Sequence, residues 1–160
     1  MTHQLRHEHL IRINDPSLAL EMWLTRAQLW SGLLHTVFEP QEFDESIDSV
    51  AIEEILPGRL RRRIRRGTLT LNDEVELVEN DRLHIDADPA GIFAGSRFEI
   101  RIEEPDAGML FVRFIYEIQG LPAIRDEKED HARRSAYQAS DLERIRLVRR
   151  YAAAAVPTLQ

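Results

Sequence analysis

The sequence predicts an α+β fold in which a curved, antiparallel, seven-stranded sheet wraps around a long C-terminal helix. Three observations support this prediction. A first strand and one or two short helices come before Asp48, six strand-like segments follow up to Ile118, and one long helical segment closes the chain. Six consecutive strands joined by short turns form an antiparallel meander, which the first strand would close. A curved sheet of this kind leaves space beside the helix, so a cavity is expected there.

The first strand and the first helix follow from local patterns. In the segment HEHLIRI, Ile11 and Ile13 fall on one face of a strand. The segment TRAQLWSGLLHTVFEP follows as a helix, in which Thr25 and Gln28 suit a capping box and Pro40 ends the helix. Its apolar residues lie on one broad stripe, so the helix is expected to pack against the core. They are Leu29, Trp30, Leu33, Leu34, Val37 and Phe38.

The later strands are predicted from β-rich segments that turn residues separate. In chain order the segments are SVAIEEIL, LRRRIRR, LTLNDEVELV, RLHIDA, RFEIRIEE and MLFVRFIYEI. Pro57 with Gly58, and then Gly67, mark the first two turns between them. The final helix is predicted from about Glu127 to Ala155, which gives it a length of about 43 Å. It is long enough to cross the whole sheet.

Composition excludes several classes of function. The chain has 160 residues and a formal net charge of −7, and an acidic surface of this kind repels nucleic-acid phosphates. It contains no cysteine, which excludes disulfides, thiolate metal sites and thiol nucleophiles. No segment has the apolar length of a signal peptide or a membrane span, and no glycine-rich phosphate loop is present. We therefore expect a single cytoplasmic domain over residues 1–160, without a cofactor, nucleic-acid binding or membrane insertion.

Four segments of the chain resemble a known family. HEHLIRIND, LTRAQLWSGL, IEEPDAGMLFVRFIYE and RSAYQASDLERIR together resemble the AtaL-like family of the START-like (SRPBCC) superfamily, in the same order along the chain. The resemblance implies a helix-grip fold with a hydrophobic tunnel for lipids, polyketides, hormones or aromatic substrates. The superfamily includes cyclases, transporters and proteins that bind protein clients. No catalytic motif of this branch can be carried over to the chain.

The inward faces of the strands and of the final helix define a predicted ligand cavity. Every second strand residue points toward the helix and is predicted to line this cavity. The set comprises Ile11, Ile13, Val50, Ile52, Leu71, Val75, Leu83, Ile85, Phe98, Ile100, Ile102, Leu110, Val112, Phe114 and Tyr116, with Leu142 and Ile145 facing them from the helix. Any one of them fits an ordinary core equally well. Tyr116 is the most informative, because a buried phenol needs a hydrogen-bond partner or a ligand.

A polar trio is predicted on the same inward face. Pairing apolar residues across a three-residue loop places Ile52 opposite Ile64, and therefore Glu54 opposite Arg62. The next turn places Asp73 diagonally from Arg62, within reach of its long side chain. A buried arginine needs its charge matched, which two carboxylates would do. Two interpretations stay open: the trio orients a polar group of the ligand, or it is a satisfied ion network at the cavity rim.

An arginine-rich strand and a histidine pair each allow more than one interpretation. Six arginines lie between Arg59 and Arg66. Acidic residues in both neighbouring strands favour cross-strand charge pairing, with binding of an acidic partner as the alternative. His7 and His9 share a strand face and could supply two metal ligands, with His84 or a carboxylate as a third. Histidines near an N-terminus are more often solvated, and no metal site is predicted.

The predicted cavity supports two hypotheses about function. The first is binding of a small hydrophobic or aromatic molecule between the sheet and the final helix. The second is an enzyme of the polyketide cyclase or dehydratase type that uses the same cavity. Its candidate groups are His9, Tyr116 and the pair Glu54 and Asp73, provided that they converge.

The outer face of the last strand supports a third hypothesis, a protein-interaction module. In the segment MLFVRFIY, Phe111 and Ile115 point away from the helix on either side of Arg113. Two exposed apolar residues this close together suggest a covered surface, and a homodimer is one way to cover it. Masking by the stems of neighbouring long side chains is the alternative.

Overall fold

The computed structural model describes residues 2–90, 95–122 and 127–154. Its strands and helices are β1 Thr2–Arg12, α1 Arg26–Phe38, β2 Ser49–Leu56, β3 Arg59–Arg66, β4 Leu69–Val78, β5 Arg82–Ala87, β6 Ser96–Asp106, β7 Met109–Pro122 and α2 Glu127–Ala154. Short 3₁₀ turns lie at Leu20–Met22 and Pro40–Glu42. Every predicted strand and helix is present, although β1 starts earlier and β7 ends later than predicted. The predicted last residue of the final helix, Ala155, lies outside the described residues.

The seven strands form one antiparallel sheet in the order β1-β7-β6-β5-β4-β3-β2. Strands β2 to β7 are a meander, and β1 closes it by pairing with β7, as predicted. The first and second strands are therefore the two edges of an open sheet. This order, with the short helices after β1 and the long helix after β7, confirms the predicted seven-stranded α+β architecture.

Helix α1 begins and ends where the sequence predicts. The Thr25 hydroxyl accepts from the Gln28 N–H at 3.1 Å, and the Gln28 side chain accepts from the Thr25 N–H at 2.8 Å, which completes the capping box. The helix ends at Phe38, and Pro40 starts the following 3₁₀ turn. Most of the predicted apolar stripe is buried, whereas Phe38 is 40% exposed.

Helix α2 has 28 residues and a length of about 42 Å. Its C-terminal half packs against α1 and the sheet through Ile145, Val148 and Ala152, which are all buried. Most of its other side chains are polar or charged, and no helix in the described part of the chain is both long and apolar enough to span a bilayer. The helix therefore contacts the rest of the protein through a narrow inner stripe.

The hydrophobic core lies between one end of the sheet, α1 and the C-terminal half of α2. Its residues are Ile11, Ile13, Leu29, Trp30, Leu33, Val37, Leu60, Val75, Leu83, Ile100, Ile102, Leu110, Val112, Phe114, Ile145 and Val148. The side chain of Asn14, also buried, donates to the carbonyls of Leu24 and Gly108 and accepts from the Leu24 N–H. These bonds hold the loop after β1 against the turn between β6 and β7.

The predicted register between β2 and β3 is wrong by two residues. Ile52 lies opposite Arg62 and Glu54 opposite Leu60, whereas the prediction paired Ile52 with Ile64. A register shift beside the turn replaces the three-residue loop of the prediction and accounts for the difference. A shift of two residues leaves every side chain on its predicted face, because strand side chains alternate with a period of two.

The register between β3 and β4 differs in the same way, and charge pairing explains both differences. Arg62 lies directly opposite Asp73, not diagonally from it, and Arg61 lies opposite Glu74. Apolar pairing, on which the prediction rested, decides little at the end of β2, where Leu56 is 58% exposed. The observed register gives the buried guanidinium a carboxylate directly across the strand pair.

Cross-strand ion pairs account for part of the arginine-rich strand β3. On the outer face, Arg59 lies 3.4 Å and Arg61 lies 4.0 Å from Glu74 of β4. Arg63 and Arg65 are exposed and lie opposite uncharged residues of both neighbouring strands. On the outer face, the predicted charge pairing is therefore confirmed at the N-terminal end of β3 only.

Gly32 allows a close approach of α1 to α2. A Cβ atom at this position would lie 2.7 Å from Val148 Cγ1 and 2.8 Å from the Val148 carbonyl oxygen. Alanine is the better helix former by about 1 kcal/mol. We nevertheless expect Gly32→Ala to lower the free energy of unfolding by about 1–2 kcal/mol, because the carbonyl of a packed helix cannot move aside. Urea denaturation measures this change.

The matched control is Ser31→Ala, which changes an exposed residue of the same helix. This variant should be as stable as the wild type or slightly more stable. If Gly32→Ala gained stability as Ser31→Ala does, the close contact between the two helices would not exist.

Candidate functional site

A cavity of about 770 Å³ lies between the sheet and the middle of α2. Inward residues of β3 to β7 form its floor, the loop at residues 43–47 forms one rim, and α2 contributes Tyr137, Ser140 and Arg144. Protein sites for small organic molecules have volumes of this order. The cavity is therefore the first candidate for a functional site.

A boundary across the sheet separates this cavity from the core. In β4, Asp73 faces the cavity and Val75 belongs to the core. In β7, Tyr116 faces the cavity and Phe114 belongs to the core. Helix α2 divides in the same way, with core residues from Ile145 onward. The inward face of the sheet therefore packs the hydrophobic core at one end and lines the cavity at the other.

The predicted cavity residues fall into three groups. Those that line the cavity are Arg62, Leu71, Asp73, Ile85, Phe98 and Tyr116. Those that fill the core are Ile11, Ile13, Val75, Leu83, Ile100, Ile102, Leu110, Val112, Phe114 and Ile145. In β2, Val50 is half-buried, while Ile52 and Glu54 border a separate concavity of about 390 Å³. The alternation of side chains along a strand shows which residues point inward. It does not show which of these inward residues line a cavity and which fill the core.

The prediction that Leu142 faces the sheet is wrong. Leu142 is 57% exposed, whereas the preceding residue, Asp141, has no exposed surface. The inward positions of α2 recur at Tyr137, Asp141, Ile145 and Val148, three or four residues apart. The prediction chose the apolar member of an adjacent pair, but hydrogen-bond partners on the sheet allow the acidic member to be buried.

Arg62 and Asp73 form a buried ion pair on the cavity wall. Arg62 Nε donates to Asp73 Oδ1 at 2.9 Å, and Arg62 Nη2 donates to Oδ2 at 2.7 Å. Arg62 Nη1 donates to the Val37 carbonyl at 2.8 Å. Glu54 is exposed and takes no part, so the predicted trio is wrong and a pair takes its place. Because the protein itself satisfies this guanidinium, the contacts favour an ion network over a ligand-orienting cluster.

Asp141 connects α2 to two strands of the sheet. The Tyr116 hydroxyl of β7 donates to Asp141 Oδ1 at 2.5 Å, and His9 Nε2 of β1 donates to Oδ2 at 2.6 Å. Arg144 Nε lies 3.6 Å from Oδ1. Two of the candidate catalytic groups, His9 and Tyr116, therefore converge through a residue that the prediction did not include. Asp73 does not join them, since it pairs with Arg62.

A row of stacked rings lies beside Asp141. The ring centroids of Phe98 and Tyr116 are 4.4 Å apart, those of Tyr116 and Tyr137 are 4.6 Å apart, and those of Tyr137 and His7 are 5.4 Å apart. Burial raises the pKa of the Tyr116 phenol, and the Asp141 carboxylate adds to the increase. The phenol therefore stays protonated and remains a hydrogen-bond donor at neutral pH.

The histidine pair of β1 is buried, not solvated as expected. His7 is 3% exposed, and the side chain of His9 is 10% exposed. Burial lowers the pKa of the His7 imidazole, and the nearby His9 and Arg134 lower it further. The suggested third metal ligand, His84, lies on the outer face, 3.2 Å from Asp86. Among the described residues, no group of three or more His, Cys, Asp or Glu side chains is arranged to hold a metal ion.

Long side chains partly mask the outer face of β7. The Arg12 guanidinium lies 5.2 Å from the ring centroid of Phe111, and Arg113 pairs with Glu8 at 2.7 Å. Phe111 and Ile115 are both half-buried. This geometry favours masking over an exposed apolar patch, and the homodimer stays a prediction.

Sequence reasoning missed four residues of α2: Tyr137, Ser140, Asp141 and Arg144. They lie before Ile145, in a part of the helix where no apolar stripe marks the inner face. The available signal was spacing, because these residues continue toward the N-terminus the inner positions that Ile145 and Val148 occupy. Continuing the helical spacing of Ile145 and Val148 toward the N-terminus, through polar residues, identifies these inner positions.

The contacts of Asp141 generate a prediction about stability. We expect Asp141→Ala to lower the free energy of unfolding by at least about 2 kcal/mol, because the Tyr116 hydroxyl and the His9 N–H lose their acceptor while buried. The control is Glu143→Ala, which removes an exposed carboxylate from the same helix and should leave stability unchanged. Urea denaturation measures both variants, and equal stability of the two would contradict a structural role for Asp141.

Several solved structures share this fold. The Zhui aromatase/cyclase from Streptomyces sp. R1128 has a TM-score of 0.66 at 15% identity, over 98% of this chain and 98% of that one. The di-domain ARO/CYC StfQ from the steffimycin biosynthetic pathway has a TM-score of 0.67 at 11% identity, over 94% of this chain but only 52% of StfQ. Ara h 8.0201 has a TM-score of 0.59 at 13% identity, over 96% and 99% of the two chains. At identities this low, the likeness shows the fold alone.

Sequence comparison identifies the family. A search among curated proteins finds no match. The family model described as AtaL, Acetylaranotin biosynthesis cluster protein L, matches residues 11–155, which is most of the chain. The solved structures confirm the predicted helix-grip fold, and the family model shows that the chain belongs to the AtaL family.

Proposed function

We propose that this protein binds a small hydrophobic or aromatic molecule in the cavity between the sheet and α2. One observation carries the proposal: a space of about 770 Å³ remains beside a packed core, with stacked aromatic rings on one wall. Leu71, Ile85 and Phe98 supply apolar surface on the floor, and polar groups come from β3, β4, the loop at residues 43–47 and α2. Ligand sites combine an apolar lining with a few polar groups in this way.

An aromatic ligand suits this cavity best. Two structures of the same fold are described as aromatase/cyclases, and the rings of Phe98, Tyr116 and Tyr137 offer stacking surfaces to a planar molecule. Burial of apolar ligand surface would drive binding at roughly 25 cal/mol per Å² before ordering costs. Arg62 and Asp73 satisfy one another, so the ligand need not neutralise either.

Two tryptophan substitutions in β4 test the location of the ligand. Leu71 lines the cavity, and the adjacent Thr70 is exposed on the opposite face. We expect Leu71→Trp to weaken binding of the neutral probe N-phenyl-1-naphthylamine by at least about tenfold, because the indole fills the space of the ligand. Thr70→Trp should leave the affinity within about twofold. Fluorescence titration measures the dissociation constants.

Thermal unfolding of both variants distinguishes a blocked cavity from an unfolded chain. The proposal fails if the wild type does not bind the probe. It also fails if a folded Leu71→Trp variant binds the probe as tightly as Thr70→Trp does, because the probe would then occupy another site.

The contact between Tyr116 and Asp141 favours a second candidate function, an enzyme of the polyketide cyclase or dehydratase type. Tyr116 lines the cavity and donates to the buried Asp141 at 2.5 Å. A proton that leaves a carbon beside a ligand carbonyl would pass to the Tyr116 oxygen, while the phenol's own proton passes to Asp141. The ligand becomes an enolate, and the charge of Asp141 is neutralised. Enolate formation is the first step of an aldol-type ring closure.

Proton exchange on a model ketone separates this candidate from binding alone. We expect the protein to accelerate deuterium exchange at the methyl group of 2-acetylnaphthalene by at least about a hundredfold over buffer. Tyr116→Phe should abolish the acceleration, and Glu143→Gln, on the exposed face of α2, should not. NMR in D₂O follows the exchange. If the ketone binds without acceleration, the protein does not use this proton path.

A further inference from the structure

We propose that Arg144 makes the cavity selective for aromatic molecules that carry an anionic oxygen, as a carboxylate or as an enolate. This inference rests on the proposed function, because it assigns the chemistry of the ligand in the same cavity. It makes Arg144 a specificity-determining residue, whereas binding driven by apolar contacts alone assigns no role to this side chain.

The position of Arg144 is the first support. Its side chain lines the cavity, and its guanidinium carbon lies 5.0 Å from the ring centroid of Phe98. Stacking on an aromatic ring fixes the plane of a guanidinium while leaving its N–H edge available. Within the described part of the chain, the Nη atoms of Arg144 make no hydrogen bond, and its nearest carboxylate contact is from Nε to Asp141 Oδ1 at 3.6 Å.

Asp141 is a weak partner for Arg144 because other donors already occupy it. Oδ1 accepts from Tyr116 at 2.5 Å, and Oδ2 accepts from His9 at 2.6 Å. A separation of 3.6 Å is too long for a hydrogen bond. The carboxylate orients the guanidinium from one side and leaves its terminal donors without acceptors.

The other arginines around the cavity differ from Arg144 in this respect. Arg62 makes a two-point contact with Asp73, and Arg66 lies 2.9 Å from Asp44. The side chain of Arg97 is 65% exposed and belongs to the outer face of β6. Arg144, whose side chain is 26% exposed, is thus the inward-facing arginine with neither Nη group in a hydrogen bond among the described residues.

Neighbouring hydroxyls extend the row of donors. Tyr137 and Ser140 line the cavity one or two turns before Arg144 on the same side of α2, and neither hydroxyl has a partner among the described residues. Burial raises the pKa of the Tyr137 phenol, so it stays protonated and can donate. An anion that accepts from a guanidinium and one or two hydroxyls matches this arrangement.

The apolar floor and the donor row together define the ligand. A planar ring system would lie along Phe98 and Leu71, and its anionic oxygen would point toward α2. The fork of a guanidinium accepts two oxygens of a carboxylate, or the oxygens of a conjugated enolate, in its own plane. A neutral ring system of the same shape would keep the stacking and lose the charge-assisted hydrogen bonds.

Two fluorescent probes with one ring skeleton test the proposal. The probe 8-anilino-1-naphthalenesulfonate carries an anionic group, and N-phenyl-1-naphthylamine does not. We expect Arg144→Met to weaken binding of the sulfonate by at least about tenfold and to change binding of the neutral probe by less than about twofold. The control is Arg146→Met, because Arg146 pairs with Glu143 on the exposed face of α2 and should affect neither probe.

A second variant at the same position tests the proposal independently of Arg144→Met. Arg144→Lys retains the charge without the fork and should bind the sulfonate with intermediate affinity, which guards against a Met variant that fails to fold. The inference is overturned if Arg144→Met weakens both probes equally or neither. That result leaves the proposed function intact, whereas a wild type that binds neither probe overturns both.

Competition identifies the kind of anion. The carboxylate 2-naphthoate and the enolate of 2-hydroxy-1,4-naphthoquinone should each displace the sulfonate probe, and the tighter competitor indicates the natural class. The displacement should weaken in Arg144→Met. If neither anion competes with the probe, the assignment of Arg144 to an anionic oxygen is wrong.

Discussion

A carboxylate that is fully withdrawn from solvent, Asp141, holds the middle of α2 against the sheet. Its oxygens accept hydrogen bonds from Tyr116 and His9, which lie on the adjacent strands β7 and β1. A buried carboxylate without such partners would cost several kcal/mol, so helix and sheet must keep these positions together. Toward its C-terminus α2 is held by close packing, with Val148 over Gly32 of α1, and Arg149 also donates to the Ile13 carbonyl.

This division of α2 explains why a cavity exists beside the core. Toward the C-terminus, aliphatic side chains fill the space between helix and sheet to the density usual for protein interiors. Beside the preceding part of the helix, the inward face of the sheet holds groups that need hydrogen bonds, namely Arg62, Asp73 and Tyr116. Arg62 pairs with Asp73, and Tyr116 pairs with Asp141 of α2, so these groups stay along the walls and leave the centre empty. A space with fixed polar groups and stacked rings suits an aromatic ligand better than a lipid chain.

The sequence predicts the strands, the helices and the inward faces because these follow from local periodicity and turn chemistry. It does not predict the register of β3, where a direct contact between Arg62 and Asp73 outweighs apolar pairing. It also does not distinguish Leu142 from Asp141 at the helix–sheet contact, since the partners of Asp141 are more than twenty residues away along the chain. Which inward residues line a cavity depends on where packing leaves space, and a single sequence carries no such information.

Native mass spectrometry of the purified protein, beside a denatured sample, tests the central claim most directly. The account predicts that the native chain, alone or after addition of N-phenyl-1-naphthylamine, carries one small molecule whose mass is lost on denaturation. A native chain that stays at its bare mass under both conditions would contradict the account, because the cavity would then hold no aromatic ligand.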